Sequence, residues 1–582
     1  MKYALKNNCI YKLNETRIQI VDLSDRNMFE LTDLMRELFI YLFINNKSDD
    51  FALNQLMQKN FSPLQARREL NKLIYPLYNH KFISCRNNKT IGHNCLYIHS
   101  CLLEITNVCN FRCPHCYVDK KNAKYLPFED VKVFADELYE LNCNSITLTG
   151  GEVFTHFEFN KIYEYLYEKG FLISINTNSS LINDEVIELF KKMPPNIVEI
   201  SLYGYDEETY YNFTHCKNCY ANIITNIKKL QDIGIDVKLK NVITNANKKF
   251  FDKIKEVAHS NGCLFRSDYI SFPQINNDNN QKLNPEQISV ENVMEYLSNY
   301  KSCEEYYLRL FSTAGHTRKV FKCKQKDDNF FMNVDKQISI CLCMQSDSLQ
   351  YQYGQLSNVL LALRRFKSLK YRRNAKCRNC KYISLCRYCP GKFKMSTQDF
   401  QTPPEWFCDL GQSIYKKYVD GFHMIRKCYL NNKELSKIFG IVSNNMKKLG
   451  FEISAKDETV WKENLQRNLT DEKFYFYVIY QNGEIVGFVE VGVFEDKLFL
   501  SELQLCDNAK NTRVLPNILN RLVELDELAN FDKINFKINK NNIKSQKTFE
   551  HLGAVKNAEN SNSYSYVLGK NNVKKYLKKI KR

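Results

Sequence analysis

The sequence lacks the hydrophobic segments that carry proteins into or across membranes. The first fifteen of its 582 residues, MKYALKNNCIYKLNE, contain no apolar stretch of the kind that forms a signal peptide. The longest apolar run near the start, Leu38–Ile44, is far too short to cross a bilayer. No internal repeat of about 20–50 residues is visible, which argues against a solenoid or propeller. We therefore expect a soluble, cytoplasmic protein with no membrane partner.

Cysteine, by contrast, is abundant, and positive charge is in excess. The chain contains 22 cysteines, and clustered cysteines indicate bound metal in a reducing compartment that discourages structural disulfides. The formal net charge is +18, and the chain ends in a basic tail, Lys574–Arg582. Such a charge is explained by binding to nucleic acid, by binding to an acidic peptide, or simply by a proteome that is rich in lysine and asparagine. The charge leaves the partner open, although the sequence as a whole does not favour nucleic acid.

Strand and helix patterns alternate between Leu102 and Phe272. The strand-like runs are LLEIT, SITLT, FLISIN, IVEISLY and DVKLKNVI, with amphipathic helices between them, as in Phe128–Leu141. This alternation predicts a parallel sheet with crossover helices, as an open sheet or a barrel. Three short strands and three helices are predicted in residues 1 to 85. Length and pattern together predict four domains, at residues 1–88, 98–300, 301–425 and 440–582.

The motif that carries the chemistry follows the first strand of this segment. It reads C-N-F-R-C-P-H-C and places Cys109, Cys113 and Cys116 at C-x3-C-x2-C spacing. Zinc sites generally need four ligands, so three cysteines in one short loop favour a [4Fe–4S] cluster with one open iron. A substrate or cofactor can then coordinate the open iron. A zinc knuckle that takes a fourth ligand from elsewhere is the alternative.

This loop resembles the signature of the radical S-adenosylmethionine (SAM) superfamily, and the segment 102–272 is similar to that family's core. Gly150-Gly151-Glu152 follows the strand SITLT, where the family has a Gly-Gly-Glu that holds the amino group of the SAM methionine. The family's usual proline after the glutamate is Val153 here. The resemblance implies that SAM is bound by Gly150, Gly151, Glu152, His115, Asn176, Asn178 and Ser201. Among these, the resemblance places His115 near the adenine.

The resemblance also implies the mechanism. A reduced cluster passes one electron to the sulfonium of SAM, and the resulting 5′-deoxyadenosyl radical abstracts a hydrogen atom from the substrate. The protein positions the reactants and excludes water, while the cofactor supplies the difficult chemistry. The sequence does not indicate which side chain, if any, acts as a catalytic residue.

A second set of cysteines lies downstream. The stretch C-R-N-C-K-Y-I-S-L-C-R-Y-C has C-x2-C-x5-C-x2-C spacing. Taken by itself, this spacing indicates a zinc site. After a radical SAM core it resembles the SPASM extension, which binds auxiliary [4Fe–4S] clusters. That extension usually has x3 in the last gap and a glycine where this chain has Lys336. The resemblance implies one or two auxiliary clusters, whose ligands are Cys323, Cys341, Cys377, Cys380, Cys386, Cys389 and Cys408. Cys343 could replace one of these ligands.

Two further modules flank this core. The first 88 residues resemble the RiPP recognition element, a winged-helix-like domain that binds the leader of a precursor peptide, usually by strand addition. A DNA-binding winged helix and a purely structural lid are the alternatives. The C-terminal segment resembles a GNAT acetyltransferase in its hairpin NGEIVGFVEV and in Asn542, Ser545, Phe549 and Gly553. The glycine-rich turn for the pyrophosphate of coenzyme A is missing from CDNAKNTRVLPNIL, so we expect weak or no binding of acetyl-CoA, although acetyl transfer stays open.

These observations predict an α/β fold with a partial (β/α) barrel core, a winged-helix-like N-terminal module, a cysteine-rich SPASM extension and an α+β GNAT-like C-terminal domain. The predicted function is modification of a ribosomally made peptide, through a thioether, a carbon–carbon crosslink or an epimerised centre. The expected partners are the precursor peptide, bound through its leader, and a reductant such as flavodoxin or ferredoxin. The alternatives are a maturase like the anaerobic sulfatase-modifying enzymes and a nucleic-acid-associated metalloprotein.

Overall fold

The chain folds into two compact units. The computed structural model describes residues 3–6, 9–13, 17–22, 28–79, 82–85, 98, 100–117, 123–141, 143–273, 284–300, 302–314, 318–321, 329–494, 497–510, 514–525, 528 and 531–580. The first unit comprises Met1–Val293, Thr317–Cys380 and Tyr388–Phe407, and the second comprises Met294–His316, Lys381–Arg387 and Cys408–Arg582. None of the helices in the described ranges is long and apolar enough to span a membrane.

The N-terminal segment combines antiparallel strands with three helices. Its elements are β1 (Tyr3–Leu5), β2 (Cys9–Leu13), β3 (Arg17–Asp22), β4 (Met28–Thr32), α1 (Asp33–Phe39, followed by a π-helical turn to Ile44), α2 (Asp49–Gln58), α3 (Pro63–Asn79) and β5 (Ile83–Cys85). Strand β3 pairs with β2 and β4, and β1 pairs with β5. Ile18 and Ile20 of β3 are fully buried, because alternate side chains of a strand point to one face. The predicted order of three strands and three helices is confirmed.

A run of parallel strands follows. Its elements are β6 (Ser100–Thr106), α4 (Phe128–Glu140), β7 (Ser145–Gly150), α5 (Phe159–Glu168), β8 (Leu172–Thr177), α6 (Asp184–Lys192), β9 (Ile197–Ser201), α7 (Glu207–Thr214), α8 (Cys219–Asp232), β10 (Val237–Val242), α9 (Phe251–Ser260) and β11 (Leu264–Asp268). Strands β6 to β11 pair in chain order, all parallel. Helix α4 buries Val131, Phe134, Ala135 and Leu138, the face that its spacing predicts. The predicted parallel sheet with crossover helices is confirmed.

The cysteine-rich segment extends the same sheet. The elements between residues 290 and 397 are α10 (Val290–Ser298), α11 (Cys303–Ser312), β12 (Asn329–Met332), β13 (Gln337–Ser339), β14 (Leu349–Gln350), α12 (Leu356–Leu363) and α13 (Pro390–Thr397). Strand β12 pairs in parallel with β6, and β13 and β14 follow in antiparallel order. The complete order is β11-β10-β9-β8-β7-β6-β12-β13-β14. The segment is therefore anchored to the strand that precedes the cluster motif.

The C-terminal segment has a mostly antiparallel sheet of its own. Its elements are α14 (Glu405–Tyr418), β15 (Phe422–Lys427), α15 (Asn432–Lys448), α16 (Ala455–Thr470), β16 (Phe474–Gln481), β17 (Glu484–Phe494), β18 (Lys497–Leu505), α17 (Asp507–Lys510), α18 (Val514–Glu524), β19 (Lys533–Asn539), α19 (Ile543–His551), β20 (Val555–Glu559), β21 (Ser563–Gly569) and α20 (Lys570–Ile580). The strand order is β15-β16-β17-β18-β19-β21-β20, and only β18 and β19 pair in parallel. Asn482 and Gly483 both take positive φ at the tip of the predicted β16–β17 hairpin.

Helix α3 docks on the parallel sheet through a buried arginine. The side chain of Arg68 is 6% exposed, donates a hydrogen bond to the Pro194 carbonyl oxygen at 2.5 Å and lies 3.6 Å from the ring centroid of Tyr167. The amide of Asn71 donates to the Gly170 carbonyl oxygen at 3.1 Å. Gly170 and Pro194 come shortly before β8 and β9, so α3 lies at the amino end of the parallel strands. The N-terminal segment is therefore tied to the core at the end opposite the cluster motif.

We expect Arg68→Ala to detach α3 from the sheet, because it removes the ring contact and leaves the Pro194 carbonyl without its donor. The loss should be about 2–4 kcal/mol of docking free energy. Hydrogen exchange of the α3 backbone measures it and should become faster. Lys72→Ala on the same helix is the control, since Lys72 is half exposed and pairs with Glu69. Unchanged exchange of α3 in Arg68→Ala would contradict this interpretation.

Candidate functional site

The predicted cluster loop follows β6 at the carboxyl end of the parallel strands. Cys109, Cys113 and Cys116 are all partly exposed. The backbone N–H of Phe111 donates to the Cys109 sulfur at 3.4 Å. Three thiols in one loop fit the donor set of an iron–sulfur cluster, in which each cysteine binds a different iron. Among the described residues, no group of three or more His, Cys, Asp and Glu side chains is placed to hold a single metal ion.

Gly150 and Gly151 bring the end of β7 against the cluster loop. The N–H of Gly151 donates to the Thr106 carbonyl oxygen at 2.8 Å, and the N–H of Glu152 donates to the Val108 oxygen at 2.7 Å. A Cβ on Gly150 would lie 2.1 Å from the Thr106 oxygen, and one on Gly151 would lie 2.2 Å from the Val108 oxygen. Any side chain would collide with backbone at both positions. The two glycines therefore hold the loop in place.

Glu152 links β7 to β8 from inside the protein. Its side chain is 1% exposed, and its carboxylate accepts hydrogen bonds from the Thr177 hydroxyl at 2.6 Å, the Asn178 N–H at 2.6 Å and the Phe154 N–H at 3.3 Å. Burial raises the pKa of Glu152 to about 7, and these donors limit the rise. The carboxylate fixes the position of the residues after β8. Its contact with the SAM amino group stays a prediction.

Asn178 lies beside the cluster loop. Its side-chain amide donates to the Asn110 side-chain oxygen at 2.9 Å and lies 4.0 Å from the Cys109 sulfur. The Ser180 hydroxyl donates to the Asn178 side-chain oxygen at 2.7 Å. The structure thus places Asn178 beside Cys109 of the cluster loop, at the edge of the sheet where its position after β8 predicts it.

Asn176 and Ser201 lie on neighbouring strands and have polar partners of their own. The Asn176 side-chain oxygen accepts a hydrogen bond from the Lys240 ammonium at 3.1 Å, and Lys240 also pairs with Glu199. Burial lowers the pKa of Lys240, while Glu199 opposes that shift. The Ser201 carbonyl oxygen accepts from the Tyr210 hydroxyl at 3.1 Å. The Lys240–Glu199 pair is absent from the sequence prediction, although DVKLKNVI does show lysines at alternate positions of a strand.

His115 belongs to an aromatic group at the end of the cluster loop. Its ring lies 4.9 Å from Tyr203 and 5.3 Å from Phe213, measured between ring centroids, and Tyr203 stacks on Phe213 at 4.6 Å. The Asn284 amide donates to the His115 carbonyl oxygen at 3.1 Å. Burial raises the pKa of Tyr203 far above its usual range, and Cys113 adds to the shift. These rings form an apolar wall beside the loop.

Glu104 is a buried acid that the sequence analysis does not single out. It lies on β6 with 7% exposure, and its carboxylate accepts from the Val334 N–H at 3.1 Å. Burial raises its pKa to about 7. The signal in the sequence is the single charged residue in the strand LLEIT. Glu104 fastens the turn after β12 to the strand before the cluster loop.

Three of the downstream cysteines converge near the start of α13. The Cys343 sulfur is hydrogen-bonded to the sulfurs of Cys341 and Cys389. The hydrogen bond with Cys343 lowers the pKa of Cys389 to about 6, and the Lys392 N–H at the helix start, 3.5 Å away, adds to the effect. A Cβ on Gly391 would lie 2.6 Å from the Cys343 Cβ, so this glycine admits Cys343. Cys343, predicted only as a substitute, lies in the group, and Cys323 lies outside the described residues.

Lys336 occupies the position where the resembling family has glycine, and it lies in a left-handed backbone conformation. Its φ is 59°, in the left-handed region that favours glycine. Its N–H donates to the Asn333 carbonyl oxygen at 3.0 Å, and its ammonium pairs with Asp130 at 3.2 Å. In this chain a lysine therefore closes the turn between β12 and β13 that precedes Cys341.

The other four downstream cysteines divide between the two units. Cys377 and Cys380 lie in the first unit, where the Cys380 N–H donates to the Cys377 carbonyl oxygen at 3.5 Å. Cys386 and Cys408 lie in the second. A Cβ on Gly411 would lie 2.8 Å from the Cys386 Cβ, and Cys408 precedes Gly411 by one helical turn of α14. Cys386 therefore packs on the face of α14 that carries Cys408.

The C-terminal residues that suggest a GNAT have structural partners. The Asn542 side chain accepts from the Ser545 N–H at 3.2 Å and caps α19, Phe549 is buried, and Gly553 has a φ of 88°. The turn in place of the glycine-rich loop contains α17, and residues 511–513 lie outside the described residues. Each of these observed roles is structural.

A pair of glutamates faces one another across β17 and β18. Glu490 is the register partner of Glu502, next to a bulge in the pairing. The Asn468 amide lies 3.2 Å from both Glu490 carboxylate oxygens, and Trp461 donates to Glu502. Burial raises the pKa of Glu502 to about 7, and the charge of Glu490 adds to the shift. Burial also raises the pKa of Glu490, so both acids hold their protons to a higher pH than an exposed glutamate does.

We expect the free energy of unfolding of the region around Glu502 to fall as pH rises from about 4.5 to 7. In this range the unfolded carboxyl ionises while the folded one keeps its proton, so the loss reaches at most about 3 kcal/mol above pH 7. Glu502→Gln should reduce the pH dependence, leaving the part that Glu490 contributes, and should raise stability at pH 8. The chain has only two tryptophans, so Trp461 fluorescence in a Trp406→Phe background reports urea unfolding of this region. Exposed Glu472→Gln is the control, and equal midpoints of wild type and Glu502→Gln at pH 8 would contradict the assignment.

Comparison with known proteins identifies the family of the core. Residues 103–260 match the model of the radical SAM superfamily. The antilisterial bacteriocin subtilosin biosynthesis protein AlbA of Bacillus subtilis is 33% identical over 139 residues, which are 23% of this chain and 31% of AlbA. The AdoMet-dependent heme synthase of Methanosarcina barkeri is 22% identical over 235 residues, 40% of this chain and 66% of the synthase. The alignments thus span from about a third to two thirds of these relatives.

Among solved structures, Streptococcus suis SuiB bound to precursor peptide SuiA matches 70% of this chain and all of its own, with 13% identity and a TM-score of 0.44. FdhC, a nucleotide-linked sugar GNAT, matches 28% of this chain and 94% of its own, with 17% identity and a TM-score of 0.24. The family assignment rests on the matched core, which includes the Cys109–Cys116 loop and Gly150–Glu152. Residues 103–260 of this chain therefore form a radical SAM domain.

Proposed function

We propose that this protein is a radical SAM enzyme that modifies a ribosomally made peptide. The observation that carries the proposal is the Cys109–Cys116 loop, whose backbone is held against Gly150 and Gly151 at the carboxyl ends of β6 and β7. Its three cysteines hold a [4Fe–4S] cluster with one open iron. With this cluster and SAM bound, the site has the electron source and the group that abstract a substrate hydrogen.

In this proposal the residues around the loop bind and orient SAM. Gly150 and Gly151 hold the cluster loop against the end of β7, and Glu152 sets the position of the residues after β8. The Asn178 amide lies next to the Cys109 sulfur and so donates toward the cofactor. The remaining contacts come from Asn176, Ser201 and His115, whose ring belongs to a wall that excludes water from the cofactor.

The downstream cysteines hold one or two auxiliary clusters. Cys341, Cys343 and Cys389 support the first, because their sulfurs already share hydrogen bonds and Cys389 favours the thiolate form. Cys323 is its proposed fourth ligand. The remaining cysteines, Cys377, Cys380, Cys386 and Cys408, are proposed as further ligands of auxiliary clusters. Anchoring of β12 to β6 keeps the first group on the same sheet as the radical SAM motif.

The substrate class is supported by the bacteriocin biosynthesis relative and by the N-terminal segment. In its three-stranded sheet β3 is central, so β2 and β4 are the edges. An extended leader peptide adds to such an edge through backbone hydrogen bonds. We propose that this segment is a winged-helix-like recognition module. The proposed reductant of the enzyme is flavodoxin or ferredoxin.

The C-terminal segment is proposed as a GNAT-like domain that binds acetyl-CoA weakly or not at all, since Pro516 and the absence of glycine in the turn after β18 disfavour phosphate binding there.

The test is modification of a peptide by reconstituted protein. Anaerobic protein is incubated with SAM, a strong reductant and each short peptide encoded by a neighbouring reading frame, and the peptides are weighed by mass spectrometry. The reaction is run in deuterated water and the peptides are returned to ordinary water before weighing, so that a crosslink is detected by loss of hydrogen and an epimerised centre by gain of one carbon-bound deuterium. We expect one peptide to change mass only when all components are present, and to change far less without its leader. Production of 5′-deoxyadenosine with no change in any peptide would contradict the proposed substrate class.

A further inference from the structure

Two cysteines outside the proposed clusters form a disulfide near the cluster loop. Cys216 and Cys219 are joined in the turn between α7 and α8, with their Cα atoms 5.9 Å apart. Cys219 is buried at the first turn of α8, whereas Cys216 is partly exposed. Their Cys-x2-Cys spacing belongs to neither proposed cluster group. The exposed sulfur makes the bond accessible to a thiol.

The backbone on both sides of the disulfide is tightly shaped. His215 ends α7 and Asn218 precedes α8, and both have a φ of 55°, in the left-handed region. The carboxylate of Glu207 accepts from the N–H groups of Cys219 and Tyr220, each at 3.1 Å. Because Glu207 lies in the first turn of α7, the two helices are fastened together beside the disulfide. Loss of the S–S bond would leave two left-handed residues with fewer constraints.

Thr214 connects this turn to the cluster loop. Its carbonyl oxygen accepts from the N–H of Arg112 at 2.8 Å, and Arg112 lies between Cys109 and Cys113. Its hydroxyl accepts from the Cys216 N–H at 3.3 Å and donates to the Tyr210 carbonyl oxygen at 2.8 Å. One residue therefore contacts the disulfide turn with its side chain and the cluster loop with its backbone.

We propose that Cys216 and Cys219 are a reversible dithiol–disulfide couple that controls how firmly the cluster loop is held. An external dithiol reduces the pair by exchange: its thiolate attacks the exposed sulfur of Cys216, and its second thiol then displaces Cys216. Two electrons and two protons pass to the cysteines, and the reagent becomes a disulfide. The oxidised pair fixes Thr214 and the Arg112 hydrogen bond, whereas the reduced pair loosens them. Any effect on catalysis rests on the proposed function, so the experiment measures the loop itself.

The first measurement follows the couple in the full-length, iron-loaded protein. The protein is equilibrated anaerobically with mixtures of oxidised and reduced dithiothreitol, free thiols are blocked, and a tryptic digest is analysed without reduction. Trypsin cleaves after Lys217, between the two cysteines, so the disulfide joins peptides 193–217 and 218–228. We expect this linked pair in oxidised mixtures and its loss in reduced ones. Its absence from every mixture would overturn the proposal.

The second measurement is hydrogen exchange at the Arg112 amide in the same samples, with iron content recorded. Reduction should speed this exchange at least about tenfold, because the turn that holds Thr214 loses its crosslink. In Cys216→Ser the exchange should match the reduced wild type in every mixture, whereas Cys428→Ser, at an exposed free cysteine, should respond like the wild type. Equal exchange in oxidised and reduced wild type, or a redox response that persists in Cys216→Ser, would overturn the coupling.

Discussion

Replacement of Cys109, Cys113 and Cys116 together by alanine is expected to abolish 5′-deoxyadenosine formation. The three thiols occupy one loop, and no other described cysteine shares it, so the variant loses every proposed ligand of the core cluster. The measured quantity is 5′-deoxyadenosine released from SAM under strong reductant. It should fall to the level of a reaction without protein.

Iron content separates loss of the core cluster from general unfolding. Cys341, Cys343 and Cys389 lie on other elements and remain unchanged, so the triple variant should keep the iron of the auxiliary sites. Cys428→Ala, at an exposed free cysteine, should retain both iron and product. Continued formation of 5′-deoxyadenosine by the triple variant would show that the core assignment is wrong.

Gly151→Ala is expected to have nearly as large an effect without removing a ligand. The new Cβ would lie 2.2 Å from the Val108 oxygen and 2.5 Å from its carbonyl carbon, so the cluster loop must shift by about 1 Å to accept it. A displacement of that size typically costs about 100-fold in rate when reacting groups are held in place. We therefore expect SAM cleavage to fall by about 100-fold and the core iron to be partly lost.

The matched control is Gly440→Ala, because no atom lies within 4 Å of a Cβ at Gly440, which is in the middle of α15. This change should leave SAM cleavage intact and stabilise the helix by up to about 1 kcal/mol. A wild-type cleavage rate in Gly151→Ala would mean that the loop does not depend on close contact with β7.

The radical SAM core could be predicted from the sequence because its signals are local. The spacing of Cys109, Cys113 and Cys116 and the paired glycines after SITLT are each contained in a few residues. The apolar face of α4 likewise follows from periodicity within one helix. The placement of Asn178 follows from the rule that carboxyl ends of parallel strands meet at one edge.

Other features depend on contacts between distant residues, which local patterns do not encode. Strand β12 joins β6 across more than two hundred residues of sequence, and Cys343 meets Cys389 only because α13 begins there. Strand β15 lies between two helices and is short, so its pairing with β16 decides its conformation. The buried Arg68 also has no local signal, since surface arginines are common in helices.

The central claim is that this protein abstracts hydrogen from a peptide, and deuterium transfer tests it most directly. The reconstituted protein is supplied with SAM, reductant and a precursor peptide in which the carbon-bound hydrogens are replaced by deuterium. We predict 5′-deoxyadenosine that carries one additional deuterium, formed at a rate that the peptide increases, together with the modified peptide. Unlabelled 5′-deoxyadenosine released alongside a modified peptide would contradict the account.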